Sequence, residues 1–365
     1  MHSTITLAWQ DATACGTVSI ATVGLAVFLE RRTPCMAIKA LIVGGAGFIG
    51  TALVRRLSQA GVAPTIFDCC VPAERLHPYV EGDVRDVEAL TRAARDHNVI
   101  YNLAAEHRDD VRPARLYHEV NVGGAKTTCL AAERTGIRSI VFTSSVAVYG
   151  ESDRRLAEEA PHAPINDYGN TKSLAEEIYR DWASGGPDRS LVIVRPAVVF
   201  GPANRGNVYS LVSLVASGWF FMVGAGTNRK SMAYVENVAD FLVHIVRSSA
   251  GVHVFNYADD PDLTMNELVA FVREEFGRGP QAPRVPLPLA YAIASGADLV
   301  AGLLGARLPI SGVRLKKFRA NTQVDTARVV ASGFRARVEL KDGLRRMIVP
   351  ELEKHGRSVV PVSGR

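Results

Sequence analysis

The sequence predicts an α/β fold, a doubly wound parallel Rossmann-type sheet followed by a smaller, mixed C-terminal lobe. Three observations predict it. A glycine-rich turn, Gly44-Gly45-Ala46-Gly47-Phe48-Ile49-Gly50, sits between an apolar β-branched run and an amphipathic stretch. From Met36 onward, short β-branched runs alternate strictly with longer amphipathic stretches, as parallel strands joined by covering helices require. That alternation stops at Pro196 and the Gly201-Pro202 turn, beyond which the pattern is mixed.

Taken in order, strands are expected at 40–43, 65–67, 99–103, 139–143 and 191–194, with helices at 51–60, 87–96, 121–135 and 171–184 between them. Further helices are expected at 210–217, 238–247 and 265–276. This divides the chain into a nucleotide-binding part, 36–200, a mainly substrate-binding lobe, 201–351, and a tail, 352–365. Residues 1–35 stand apart as an extension. Their apolar run, 16–29, is short of the roughly 20 residues a membrane helix needs, and no positive region precedes it as in a signal peptide. The extension reads as weakly ordered or non-native, with a membrane-touching segment as the alternative. A second apolar stretch, 285–308, reads either as a buried helix of the lobe or as a surface that leans on a bilayer or a lipid chain.

Of the 365 residues, 47% are apolar and 22% charged, which suits a sizeable core and excludes disordered and fibrous classes. The five cysteines show neither metal-ligand spacing nor the density of a disulfide framework. Adjacent Cys69 and Cys70 therefore read as reduced thiols of a cytosolic protein. The net charge of +5 comes without a basic block interleaved with aromatics, so nucleic acid is not an expected partner. The balance suits an anionic substrate or an anionic membrane surface.

The spacing Gly44-x-x-Gly47-x-x-Gly50 puts glycines where the chain turns tightly, where backbone approaches a pyrophosphate and where helix packs on strand. A pyrophosphate then faces free N–H groups at a helix N-terminus. Asp68 ends the second strand, where a carboxylate accepts from both ribose hydroxyls and repels a 2′-phosphate; this favours NAD over NADP. Farther along, Tyr168-Gly169-Asn170-Thr171-Lys172 places a phenol and an ammonium four apart on one helix face. Tyrosine is a poor base, with a pKa near 10, and a neighbouring cation is expected to move it toward neutrality.

Two residues, not one, separate the first pair of glycines, and in this the turn resembles the short-chain dehydrogenase/reductase superfamily. The resemblance implies cofactor contacts from Asp83 and Val84, from Leu103, Ala104 and Ala105, and from Asn121, besides Phe48 and Ile49 in the turn, Tyr168, Lys172 and Pro196. The stretch Thr143 to Gly150 resembles the segment that carries the family's third catalytic hydroxyl, and the register selects Ser145. The implied triad is Ser145, Tyr168 and Lys172. Chain length and Arg195-Pro196…Phe200-Gly201-Pro202 resemble the extended subgroup, the NAD-dependent epimerases and dehydratases, from Met36 to about Leu352. Sugar 4,6-dehydratases of that subgroup carry an Asp-Glu pair directly after the catalytic hydroxyl. Here those positions are Val146 and Ala147, which move no proton. The expectation is 4-epimerisation through a 4-keto sugar, with NAD retained.

Nucleotide-sugar epimerases commonly use an arginine for the diphosphate where this chain has Lys230, a point charge without the bidentate fork. The stretches 104–111, 204–209, 224–235 and 313–318 resemble bacterial epimerases that interconvert N-acetylglucosamine and N-acetylgalactosamine on undecaprenyl diphosphate. Glu106, Ser145, Asn207, Lys230 and Arg314 are the expected substrate contacts, with Arg205, Arg229 and Lys316 as further cations. His107 reads as a supporting or surface histidine, and Arg314, Lys316 and Lys317 also read as an ordinary basic helix face. The resemblance further implies a homodimer and peripheral contact with the inner membrane. A UDP-sugar 4-epimerase, a 4-ketoreductase and a non-catalytic NAD-binding protein are the competing readings.

Overall fold

A computed structural model describes residues 37–108, 111–246, 248–290, 292 and 320–354. The expectations for the 1–35 extension, for Asp109 and Asp110, for most of the 285–308 stretch, for Arg314, Lys316 and Lys317, and for the tail beyond 354 lie outside the described residues.

The chain opens with β1 (Ala40–Val43), α1 (Phe48–Gln59), β2 (Thr65–Asp68), β3 (Tyr79–Glu81), α2 (Val87–Ala94) and β4 (Val99–Asn102). A short α3 (Arg115–Tyr117) runs through a π-helical turn, His118–Gly123, into α4 (Gly124–Thr135). Then come β5 (Ser139–Thr143), α5 (Asp167–Ser184), β6 (Ser190–Pro196) and β7 (Val198–Phe200). The remainder holds α6 (Asn207–Ser217), β8 (Met222–Val223), β9 (Arg229–Lys230), β10 (Met232–Tyr234), α7 (Val235–Ile245), β11 (Gly251–Tyr257), β12 (Leu263–Thr264), α8 (Met265–Glu275), β13 (Arg284–Val285), α9 (Ala327–Ala331) and α10 (Leu340–Lys354).

Seven strands form one sheet in the order β11-β6-β5-β4-β1-β2-β3, with every pairing parallel. Because helices cover both faces, the inner strands read as unbroken apolar runs. In β1, for example, all four residues are buried. Alternate residues serve opposite faces. Ala40 and Ile42 pack with Leu53 and Leu57 of α1 and with Phe241 of α7, whereas Leu41 and Val43 pack with Leu90 of α2, Ala132 of α4 and Tyr179 of α5. The chain order reverses between β1 and β4, and such a switch point opens a crevice at the strands' carboxyl ends.

The strands and helices expected before Pro196 are present with shifted ends. Two strands of the sheet were not expected. β3 is a three-residue strand with an exposed pattern, too short to show a period. β11 comes from beyond the point where the alternation breaks, yet it pairs with β6 along seven residues, from Gly251 against Ser190 to Tyr257 against Pro196. Helix α7 likewise packs against α1 beneath the sheet. The rest of the later chain stacks α6, α8 and α10 beside the two-stranded pairs β7/β10, β8/β13 and β9/β12.

Candidate active site

The crevice at the switch point is a cavity of about 710 Å³. Its floor is the turn after β1. Gly44 has φ +79°, and a Cβ there would stand 2.6 Å from the backbone nitrogen of Ala104; a Cβ on Gly50 would stand 2.3 Å from the Gly44 carbonyl oxygen. Only glycine lets β1, the loop after β4 and α1 close to this distance. Gly47 is the N-cap of α1 and offers no side chain to the first-turn N–H groups, and that turn holds no acidic residue. The positive end of the helix therefore points into the cavity uncompensated. Asp68, at the end of β2, lies across the turn: Oδ2 accepts from the Ala46 N–H at 3.0 Å and Oδ1 from the Cys70 N–H at 2.9 Å. An anion-binding helix terminus with a carboxylate beside it fits NAD, with its diphosphate on α1 and its ribose hydroxyls on Asp68.

Gly44, Gly47, Phe48, Ile49, Gly50, Asp68, Asp83, Val84, Leu103, Ala104, Ala105, Tyr168, Lys172 and Pro196 all line this cavity. Asn121 does not. It is buried in the π-helical turn, and both ends of its amide are used inside the protein. Its Oδ1 accepts from the Glu106 N–H at 2.8 Å, while Nδ2 donates to the Glu106 carbonyl at 3.0 Å and to Thr171 Oγ1 at 2.9 Å. It fastens the loop after β4 to α5. Arg85, which the sequence did not single out, lines the cavity and grips Asp83 at 2.6 Å, holding that carboxyl below its ordinary range.

At the other end stand Ser145, Tyr168 and Lys172. Asn166 caps α5 by accepting from the Gly169 N–H at 2.8 Å, so the helix starts at Asp167, before the expected 171, and Tyr168 enters its first turn. Gly169 lets that turn approach the Ser145 segment, since a Cβ there would lie 2.4 Å from the Ala147 carbonyl oxygen. Ser145 stands close enough to Tyr168 to lower its phenol, and its Oγ accepts from the Ala147 N–H at 3.2 Å. Lys172 is 2% exposed; its Nζ donates to the Thr143 carbonyl at 2.8 Å and lies 4.6 Å from the Phe142 ring centroid. The charges differ from expectation. Burial pushes the Tyr168 phenol up to about 12, with Ser145 opposing it. Burial also pulls the Lys172 ammonium down to about 7, against the attraction of Glu176. For both groups desolvation is the largest influence.

Directly behind lies a buried polar cluster that the motif does not contain. Glu176, four residues past Lys172 and fully buried, accepts from Ser144 Oγ at 2.6 Å and from Arg195 Nε at 2.8 Å and a terminal guanidinium nitrogen at 2.5 Å. Arg195 also donates to Tyr149 Oη at 2.5 Å, to the Glu158 carbonyl at 3.0 Å and to His162 Nε2 at 2.7 Å. Arginine only donates, so His162 is neutral with its proton on Nδ1, which reaches Ser173 Oγ at 2.7 Å. A buried Glu four after the lysine and an arginine closing an apolar strand were the available signals.

Of the expected substrate contacts, Glu106, Ser145 and Asn207 line the cavity, as does His107. Lys230 does not. Its ammonium donates to the Ala320 carbonyl, and burial lowers it to about 8 while Glu151 opposes the shift. Arg229 is held by the Asp262 carbonyl at 2.7 Å, and Arg205 is exposed outside the cavity wall. Val146 and Ala147 sit on a short 3-10 turn beside Ser145, where a dehydratase would carry its two carboxylates.

Comparison with known proteins gives a consistent family. Residues 40–258 match the NAD dependent epimerase/dehydratase family. The N-acetyl-α-D-glucosaminyl-diphospho-ditrans,octacis-undecaprenol 4-epimerase of Escherichia coli O157:H7 is 43% identical over 313 residues, which span 84% of this chain and 93% of that protein. A UDP-glucose 4-epimerase of Vibrio cholerae is 31% identical over 246 residues, 63% of this chain and 73% of the relative. Among solved structures, the Thermus thermophilus UDP-glucose 4-epimerase in complex with NAD superposes with a TM-score of 0.66 at 22% identity, covering 85% of this chain and 98% of its own; at that identity the likeness speaks for the fold.

Proposed function

The chain belongs to the NAD-dependent epimerase/dehydratase family, and from that premise we propose that it inverts C4 of N-acetylglucosamine, giving N-acetylgalactosamine, on a diphosphate carrier that is a polyprenol. The observation that carries the reaction is the pairing of Ser145 with Tyr168 over buried Lys172, at the end of a cavity that begins on a diphosphate-binding helix terminus. The 43% identity with the undecaprenol-linked 4-epimerase supports the carrier, as does a lysine in place of the bidentate arginine of nucleotide-sugar enzymes.

NAD, held by the glycine turn and Asp68, would supply reversible hydride acceptance at the sugar C4. The chain supplies positioning and proton transfer. Tyr168 takes the 4-hydroxyl proton during oxidation and gives it back during reduction. Ser145, fixed by the Ala147 N–H, donates to the sugar O4 and holds it beside the phenol. Lys172 in its ammonium form favours the phenolate. Glu106, anchored through its backbone by Asn121, and Asn207, at the start of α6, border the space left for the hexosamine.

A lipid-linked substrate brings the enzyme to a membrane surface. Among the described residues no helix is long and apolar enough to cross a membrane. Trp219 is 76% exposed and Phe221 48% exposed, on either side of buried Phe220, and these rings suit peripheral contact with lipid. The reading includes a homodimer through α4 and α5, where Leu130 of α4 is exposed.

The test offers UDP-N-acetylglucosamine and undecaprenyl-diphosphate N-acetylglucosamine separately to the purified protein, without added cofactor. The C4 epimer of the lipid-linked sugar is expected, with a loss of about 10²–10⁴ in rate for Tyr168→Phe. Conversion of the nucleotide sugar alone would overturn the carrier, and dependence on added NADH would replace the epimerase with a ketoreductase.

A further inference from the structure

Cys69 and Cys70 follow Asp68 at the ribose corner of the cavity and line it. Both are free and exposed, unlike Cys129, which is buried. Their Sγ atoms stand 3.9 Å apart. Two thiolates bound at about 2.3 Å to one tetrahedral zinc ion lie about 3.8 Å apart. The pair is therefore already at the separation that a single thiophilic cation imposes. A carboxylate oxygen of Asp68 completes a group of three donor atoms that all lie within 4.8 Å of one another. Thiolate and carboxylate donors suit zinc and metals of similar softness, and water fills the fourth position.

We propose that Asp68, Cys69 and Cys70 form a binding site for a thiophilic divalent cation, and that its occupation and NAD binding exclude each other. Exclusion follows from the shared carboxylate. Asp68 is the group placed to receive the ribose hydroxyls, and as a metal ligand it is turned away from them and partly neutralised. Adjacent cysteines lack the loop spacing of a structural zinc site, and both thiols are exposed, so the fold does not depend on the metal. The site is inhibitory.

The experiment uses the full chain stripped of NAD. One equivalent of Co²⁺ should be retained through gel filtration and show a thiolate-to-cobalt charge-transfer band. Zn²⁺ should displace the cobalt, and saturating NAD should lower metal retention at least tenfold. The Cys69→Ser/Cys70→Ser protein should lose the band and bind zinc at least tenfold more weakly. A cobalt spectrum without thiolate character would overturn the proposal, as would metal retention that NAD leaves unchanged. The competition on the unaltered protein decides the question even if the double variant fails to fold.

Discussion

Lys172 shows how a residue proposed to serve the reaction can work against the stability of the fold. Its ammonium is 2% exposed and pulled from an ordinary 10.5 to about 7 by burial. A base whose folded value is depressed lowers stability wherever the unfolded chain is charged and the folded one resists charging. Below about pH 7 both states carry the proton and the penalty is complete. Between about 7 and the unfolded value near 10.4, the unfolded chain binds more protons, so stability rises with pH by up to about 1.4 kcal/mol per unit. Lys172→Met should therefore cut turnover by about 10²–10⁴ while stabilising the protein most at pH 6, with the margin shrinking toward pH 10. Urea unfolding at several pH values checks this; a margin independent of pH would remove the buried cation from the explanation. At this scale the sequence was informative where residues follow a regular spacing. Tyr168, Lys172 and the glycines had a spacing to read, whereas the place of Asn121 as a loop fastener depends on how close Glu106 and Thr171 come in space.

The element that organises the site is α5. Three of its contacts act together: Asn166 sets its start, Gly169 lets its first turn reach Ala147, and Glu176 ties its middle to β6 through Arg195. The start at Asp167 was misplaced from sequence because Asn166-Asp167 reads equally well as a loop, and only the bond to the Gly169 N–H identifies the cap. The Glu176–Arg195 pair was invisible because neither residue carries a motif; its meaning comes from burial, with both side chains at most 1% exposed. Removing Arg195 leaves the buried Glu176 carboxylate with Arg180, 3.7 Å away, as its remaining arginine partner. Arg195→Met should lower stability by about 3–5 kcal/mol, and Glu176→Met in the same chain should restore much of the loss. Chemical denaturation of the two variants tests the pair; equal instability of both would mean that the remaining partners, Tyr149 and His162, matter more.

At the scale of the whole molecule, the fold class was legible because the repeating strand-and-helix pattern extends over the first six strands of the sheet, apart from the short β3. The seventh was not, since β11 arrives after the mixed segment and lies at an edge, where nothing but its seven-residue pairing with β6 marks it as part of the sheet. That arrangement makes residues before and after Pro196 share one core, and the cavity draws its walls from both: the glycine turn and Asp68 from the first part, Val198, Val199, Asn204 and Asn207 from the second. Cofactor binding should consequently stabilise the entire fold. A ligand at a hundred times its Kd adds about 2.7 kcal/mol to the folded state, enough to raise Tm by several degrees in a protein of this size. Gly50→Ala forces a Cβ to within 2.3 Å of the Gly44 carbonyl oxygen, a backbone atom that cannot yield without reshaping the turn. The variant should melt lower than the parent and, more tellingly, lose the NAD-dependent rise. Melting curves with and without NAD measure both effects, and an unchanged rise in the variant would mean that the dinucleotide does not depend on this turn.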